Sequence, residues 1–289
     1  MTMLEIRDVS LFVKVMGQGY PLLLMHGGPG LDYTTLSSLE PLADQFTLIF
    51  YDHRANGRST GAAESMTWEN LTADAEALRR CLGFDQWAVL GHSFGGQVAL
   101  EYALRYPERV SQLLLFDTAA DAWWHAVNAP EILRKRGYSA ATVAAARRFY
   151  NGDLRPDEVR PIVMKFLRAY FYRLPLWELP FALISGSLRM KMRPEAHVFA
   201  FGTLLKRWNV MDRLREIDVP TLVLAGRFDF LFPSEHQAIL ADRLPNAQLE
   251  IIERAGHSAH AERAAEVIGI VRRFIAAHPR VERHAASVA

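Results

Sequence analysis

The sequence predicts an α/β protein: a mostly parallel, doubly wound sheet flanked by helices and interrupted once by an inserted helical segment. Three observations predict it. Short apolar runs recur along the 289-residue chain, with the length and continuity of strands buried on both faces. Helical patterns separate several of them, the alternation expected of βαβ units. Between Asp117 and Thr221 that alternation stops for about a hundred residues, too long for a plain loop in a compact domain.

The chain opens with Leu4–Arg7 and Leu11–Val15, which alternate apolar with polar and predict an antiparallel hairpin at a sheet edge. The apolar runs follow: Pro21–Met25, Phe46–Tyr51, Trp87–Leu90, Leu113–Phe116, Thr221–Ala225 and Leu249–Ile252. Helices are predicted over Trp68–Leu82, with Thr67 as N-cap, and over Phe94–Arg105, Ser234–Arg243 and Glu262–His278. Residues 1–120 and 209–289 thus form the α/β core. Residues 121–208 read as a helical cap over the carboxyl ends of the strands, where open α/β sheets place ligands. The cap is rich in aromatics, among them Trp123, Trp124, Phe149, Tyr150, Phe166, Tyr170, Trp177, Phe181 and Phe201. Most of these belong to the cap's own core.

Half the residues are apolar, enough for one large core with a lid. With 33 Lys and Arg against 32 Asp and Glu, no global charge points to nucleic acid or an anionic membrane as partner. Cys81 is the single cysteine, so an intramolecular disulfide is excluded and a reducing compartment is allowed. Met1–Asp8 lacks the pattern of a signal peptide and no apolar run is long enough to span a bilayer, so the expected location is the cytoplasm. The tail after Pro279 is expected to fray. Oligomeric state is not legible.

The most informative stretch is Gly91-His92-Ser93-Phe94-Gly95 between the Trp87–Leu90 strand and the Phe94–Arg105 helix. So tight a strand-to-helix turn strains the serine backbone and needs small neighbours. It exposes the Ser93 hydroxyl, and the Phe94 N–H at the helix start faces the same space. A serine is a weak nucleophile without a base, and the base needs an orienting acid. Asp229 follows the Thr221–Ala225 strand and His257 follows the last one. The chain order Ser93, Asp229, His257 suits a nucleophile, an acid and a base on this architecture. His260 is the alternative base and Asp117 the alternative acid. His92, inside the turn, reads as a packing or locally hydrogen-bonded residue.

His26-Gly27-Gly28-Pro29-Gly30 follows the Pro21–Met25 strand and supplies the second oxyanion donor, the Gly28 N–H. A phosphate-binding reading of this turn lacks the Lys-Ser/Thr pair. No His-Glu-x-x-His or cysteine cluster suggests a metal, and no cofactor is implied. Asn56 and Arg58 read as structural, fixing the loop after Asp52.

Together, His26–Gly30, Asp52–Ser59, the Ser93 turn, Gly226–Asp229 and Gly256-His257 resemble an α/β-hydrolase, in particular the proline iminopeptidase branch with its His-Gly-Gly-Pro-Gly signature. The resemblance implies Ser93, Asp229 and His257 as triad, and Gly28 and Phe94 as oxyanion donors. Two departures bear on the substrate. The turn reads Gly-His-Ser-Phe-Gly where iminopeptidases usually have Gly-Gly-Ser-Trp-Gly; the histidine form is common in esterases and lactonases. Residues 121–208 carry fifteen Lys and Arg against seven Asp and Glu, unfavourable for a substrate ammonium group. Against this, Arg193–Phe199 is similar to an element in which the branch carries an ammonium-binding carboxylate, implying Glu195. The expected function is therefore a cofactor-independent serine hydrolase of small-molecule esters or lactones, acyl-homoserine lactones included, acting through an acyl-Ser93 intermediate. The alternatives are an aminopeptidase releasing N-terminal proline and a non-catalytic binder.

Overall fold

The computed structural model describes residues 1–173 and 190–278. Trp177, Phe181 and the tail after Pro279 lie outside the described residues. One eight-stranded sheet organises the chain: β1 (Thr2–Ile6), β2 (Val9–Met16), β3 (Tyr20–Met25), β4 (Phe46–Tyr51), β5 (Trp87–His92), β6 (Val110–Phe116), β7 (Thr221–Gly226) and β8 (Ala247–Ile252). Their spatial order is β1-β2-β4-β3-β5-β6-β7-β8. β1–β2 is antiparallel, as the alternating N-terminal pattern predicts; β2–β4 is antiparallel as well, and every later pairing is parallel. The helices are α1 (Trp68–Cys81), α2 (Phe94–Arg105), α3 (Trp123–Lys135), α4 (Ala140–Tyr150), α5 (Pro156–Met164), α6 (Pro194–Phe199), α7 (Ser234–Arg243), α8 (Ala259–Glu262) and α9 (Ala264–Ala277). Thr67 caps α1 by accepting the Asn70 N–H at 3.1 Å. No helix among the described residues is long and apolar enough to cross a membrane.

The continuous apolar runs of the central strands follow from burial on both faces. Leu23, Val89, Leu113 and Val223 pack toward α1, α2 and α7. Their neighbours Leu24, Leu90, Leu114 and Leu224 pack toward α9 and a 3₁₀ segment, Tyr33–Asp44. Each such leucine contributes about 2 kcal/mol through burial. The 3₁₀ segment has no counterpart among the elements predicted from the sequence. Its buried Leu36, Leu39 and Leu42 recur every third residue, the period of a 3₁₀ turn. β8 departs from the prediction of a doubly buried strand: it is the sheet edge, and Leu249 is 36% exposed. Length and apolar content alone do not separate an edge strand from a central one.

Between β6 and β7 the named elements are helical. The segment departs and returns at one place, where Asp121 bridges Asn209, Ala122 N–H donates to Trp208 O at 3.0 Å and Val210 N–H donates to Ala120 O at 2.8 Å. Inside it, Leu133, Ala146, Phe149, Val159 and Phe166 form a cluster that continues into Phe230 and Phe232 after β7. The chain proceeds from β3 outward to β4 on one side and to β5 on the other, so the loops after β3 and β5 flank the crevice where the winding reverses.

Candidate active site

Ser93 closes β5 and precedes α2, at φ 54° and ψ −120°. A side chain rarely holds that conformation, which costs on the order of 1–3 kcal/mol. Surrounding groups fix it: Ser93 N–H donates to Phe116 O at 2.9 Å, and its carbonyl accepts Thr118 Oγ1–H at 2.7 Å. Close packing explains the neighbouring Gly95, where a Cβ would collide with the Met25 carbonyl.

His257 Nε2 lies 3.0 Å from Ser93 Oγ, and His257 Nδ1 lies 2.9 Å from Asp229 Oδ2. The other Asp229 oxygen accepts the Leu231 N–H at 2.8 Å. The two partners that the sequence places 136 and 164 residues beyond Ser93 thus meet it in one row. Burial pulls the His257 pKa down, but the Asp229 charge and hydrogen bond outweigh it, and the imidazole ends above its ordinary value of 6.5. Such a row can pass the serine proton to the ring and stabilise the resulting imidazolium.

The alternative base and acid lie behind this row, each with one polar atom committed to the backbone. His260 Nε2 binds Thr35 O at 3.0 Å, and Asp117 Oδ1 accepts the Gly226 N–H at 2.8 Å. His92 Nε2 binds the His257 carbonyl at 2.9 Å, a bond to a distant loop rather than one within its own turn. His92, Asp117 and His260 bring one metal-type atom each within 4.8 Å of one another, wholly inside the protein. Burial lowers both histidines, His260 to about 4 and His92 well below its usual value, and raises the Asp117 carboxyl well above the carboxylate range. Both histidines are therefore uncharged at neutral pH, and burial biases the Asp117 carboxyl toward its protonated form.

After β3, His26 Nδ1–H donates to Gly27 O at 3.0 Å and its Nε2 accepts the His53 N–H at 3.2 Å. Gly28 holds φ 65°, and a Cβ at Gly27 would lie 2.5 Å from His92 Nδ1 and 3.0 Å from the Ser93 Cβ. The turn is therefore pressed against Ser93, and Gly28 and Phe94 line the same cavity as Ser93 and His257. Asn56 Oδ1 accepts the Gly30 N–H, and Arg58 pairs with Asp32 at 2.8 Å while its N–H donates to Asp52 at 2.8 Å. Both side chains brace the turn.

The cavity over Ser93 measures about 920 Å³. Core loops supply Leu31, Leu231 and Phe232 to its lining; the helical segment supplies His125, Phe149, Tyr150, Tyr170, His197 and Phe201. Burial lowers His125 and His197 to about 3, so both are neutral. The Tyr170 ring stands 5.5 Å from the His257 ring and the Phe232 ring 5.7 Å from it. Among the described residues one carboxylate, Glu40, lines the cavity, and it pairs with Lys14 at 2.7 Å. Glu195 sits on the exposed side of α6 and is not brought to the cavity lining. Its neighbours Ala196 and His197 face inward instead. His125, His197 and Phe232 carry no local sequence signal that marks them as cavity residues.

A family model described as the alpha/beta hydrolase fold matches residues 20–264. The chain belongs to the α/β-hydrolase family. Within it, the chain stands in the proline iminopeptidase-like branch: it is 27% identical over 280 residues to a proline iminopeptidase of Pestalotiopsis fici, covering 93% of this chain and 96% of that one. Among solved structures, a proline iminopeptidase of Mycobacterium smegmatis is 25% identical with TM-score 0.77, covering 96% of this chain and 98% of that one. A thermophilic esterase of Thermogutta terrifontis is 26% identical with TM-score 0.74, covering 94% and 95%.

Proposed function

We propose that the protein is a serine hydrolase of neutral carboxylic esters or lactones, with Ser93 as nucleophile, His257 as base and Asp229 as orienting acid. Residues 121–208 act as a cap that closes an acyl site over the core formed by 1–120 and 209–289. The observation that carries the substrate reading is the cavity lining: aromatic and aliphatic side chains surround Ser93, and among the described residues the sole lining carboxylate is neutralised by Lys14. An ammonium group buried there would go unpaired, at a cost of several kcal/mol. A neutral acyl group is accommodated.

In the proposed reaction, Ser93 Oγ attacks the acyl carbon as His257 Nε2 takes its proton. The Phe94 and Gly28 N–H groups receive the oxyanion; loss of such a donor costs about a hundred- to thousandfold in turnover. His257 returns the proton to the departing alkoxide, leaving acyl-Ser93. Water attacks this ester with His257 again as base, and the acid and free serine result. These steps need only side chains, backbone amides and water.

The second reading, an aminopeptidase for N-terminal proline, is favoured by the relatives named proline iminopeptidase. The test compares p-nitrophenyl butyrate with prolyl-p-nitroanilide, using Ser93→Ala as blank. The expected result is ester hydrolysis with kcat/KM above about 10⁴ M⁻¹s⁻¹ and no anilide turnover. Preference for the anilide overturns the ester reading. Absence of Ser93 labelling by a fluorophosphonate would favour the binder.

A further inference from the structure

A second cavity, of about 990 Å³, is lined entirely by residues of the helical segment and does not include Ser93. α3 gives it an apolar stretch of Ala126, Val127 and Pro130, while Glu131, Arg147, Asp153 and Lys206 bring charge of both signs to other parts of its lining. Four side chains line this outer cavity and the Ser93 cavity alike: His125, Tyr150, Phe201 and Leu205. The partition between the two is therefore a single layer of side chains.

Its construction singles out Phe201. The His125 ring meets Phe201 edge-on at 5.1 Å and 83°, and Tyr150 meets it at 5.7 Å and 74°. His125, Tyr150 and Leu205 are buried, whereas Phe201 is only partly so. Phe201 belongs to a π-helical turn, Ala200–Leu204, that continues α6. Such turns are rare and concentrate at functional sites. The turn is held from outside by Gly152, at φ 68°, whose backbone lies so close to Gly202 that a Cβ on Gly152 would collide with the Gly202 nitrogen. Phe201 is thus the least buried of the four side chains of the partition, and it stands on a turn packed against the Gly152 backbone.

We propose that Phe201 is the chain-length stop of the acyl site, and that the outer cavity is a latent subsite for the distal carbons of a straight-chain acyl group. This rests on the ester reading above. With Phe201 in place, short and medium acyl chains end against the aromatic partition. Without its ring the two cavities join, and a long chain passes between His125 and Tyr150 onto the apolar face of α3.

The experiment measures kcat/KM for p-nitrophenyl laurate relative to butyrate. Phe201→Ala is expected to raise that ratio about tenfold or more, the scale of discrimination that a few methylenes supply. Phe201→Leu raises it less, and guards against a poorly folded alanine variant. Adding Ala126→Trp to Phe201→Ala refills the outer cavity and returns the ratio toward wild type. An unchanged ratio in both Phe201 variants, or a gain that survives Ala126→Trp, overturns the proposal. A second readout needs no turnover: the rise in Tm caused by dodecanoate, compared between Ser93→Ala and Ser93→Ala/Phe201→Ala, is expected to be larger in the double variant. Should wild type hydrolyse no ester while this Tm gain appears, the ester reading falls and the partition stands. Ester hydrolysis with neither a ratio change nor a Tm gain leaves the reading standing and removes the partition.

Discussion

Two groups of three side chains lie back to back in this protein, with the His92 and His257 rings 5.1 Å apart. Both combine imidazole with carboxylate and both are buried. In the front group both ring nitrogens lie on one line, from Asp229 Oδ2 through His257 to Ser93 and the cavity. In the rear group His92 and His260 each spend Nε2 on a backbone carbonyl, and His92 Nδ1, His260 Nδ1 and one Asp117 oxygen have no hydrogen-bond partner. Their charges go in opposite directions too. A neighbouring carboxylate raises His257, whereas desolvation lowers His92 and His260. Each group sets a carboxylate beside a buried imidazole, although the front group ends in the part-buried Ser93. What separates the two is the partner of Nδ1: that of His257 meets a carboxylate, whereas those of His92 and His260 meet no hydrogen-bond partner.

The largest effect that tests this comparison is the loss of the front imidazole. His257→Ala is expected to lower kcat/KM for the preferred substrate by about 10⁴-fold or more with an unchanged circular-dichroism spectrum. Retention of more than about a tenth of wild-type activity would break the assignment, since another base would have to serve. Next comes Asp229→Asn, expected to cost on the order of 10⁴ in kcat. It also sharpens the comparison through pH. His257 must be neutral to accept the Ser93 proton, so wild-type activity falls as pH drops through its raised pKa, with a midpoint above 6.5. Without the carboxylate, burial dominates as it does for His260, and the acid limb of the residual activity moves to lower pH. A limb that stays in place would show that Asp229 does not set the base.

The rear group should respond weakly in activity and measurably in stability. His260→Ala is expected to keep kcat/KM within about tenfold of wild type; a loss as deep as that of His257→Ala would reverse the roles. For Asp117, the folded pKa is raised well above 3.8 by burial. The stability it contributes is therefore fully present below about pH 3.8 and is lost as pH rises toward the folded value. Asp117→Asn keeps the acceptor for Gly226 and removes that dependence. Its Tm should match wild type near pH 4 and equal or exceed it at pH 8, and a Tm that falls further below wild type as pH rises would contradict the neutral carboxyl.

Much of this was legible in the sequence, for reasons that differ by region. The central strands announce themselves because both faces are buried, and α2 and α7 begin and end where their patterns do. The Ser93 turn is legible because its geometry admits few residues on either side. Asp229 and His257 are legible because each follows a strand end, and the sheet brings strand ends together. Where the signal depends on distant packing it fails. The rear group unites residues 92, 117 and 260, and nothing near any of them reports the other two. Glu195 and His197 lie on one short helix, and composition does not say which faces the cavity. The aromatics of 121–208 were countable, but only the fold separates Tyr150 and Phe201, which line the cavity, from exposed Trp123.

The bridge between Asp121 and Asn209, with its two backbone hydrogen bonds, has a consequence for ancestry and engineering. Because the inserted stretch departs and rejoins at adjacent backbone positions, a foreign stretch of any length whose ends meet at the same spacing leaves the strand register untouched. The side chains that the helical stretch adds to the cavity are thus carried on a piece that a graft could replace, while Ser93, Asp229 and His257 all lie outside it.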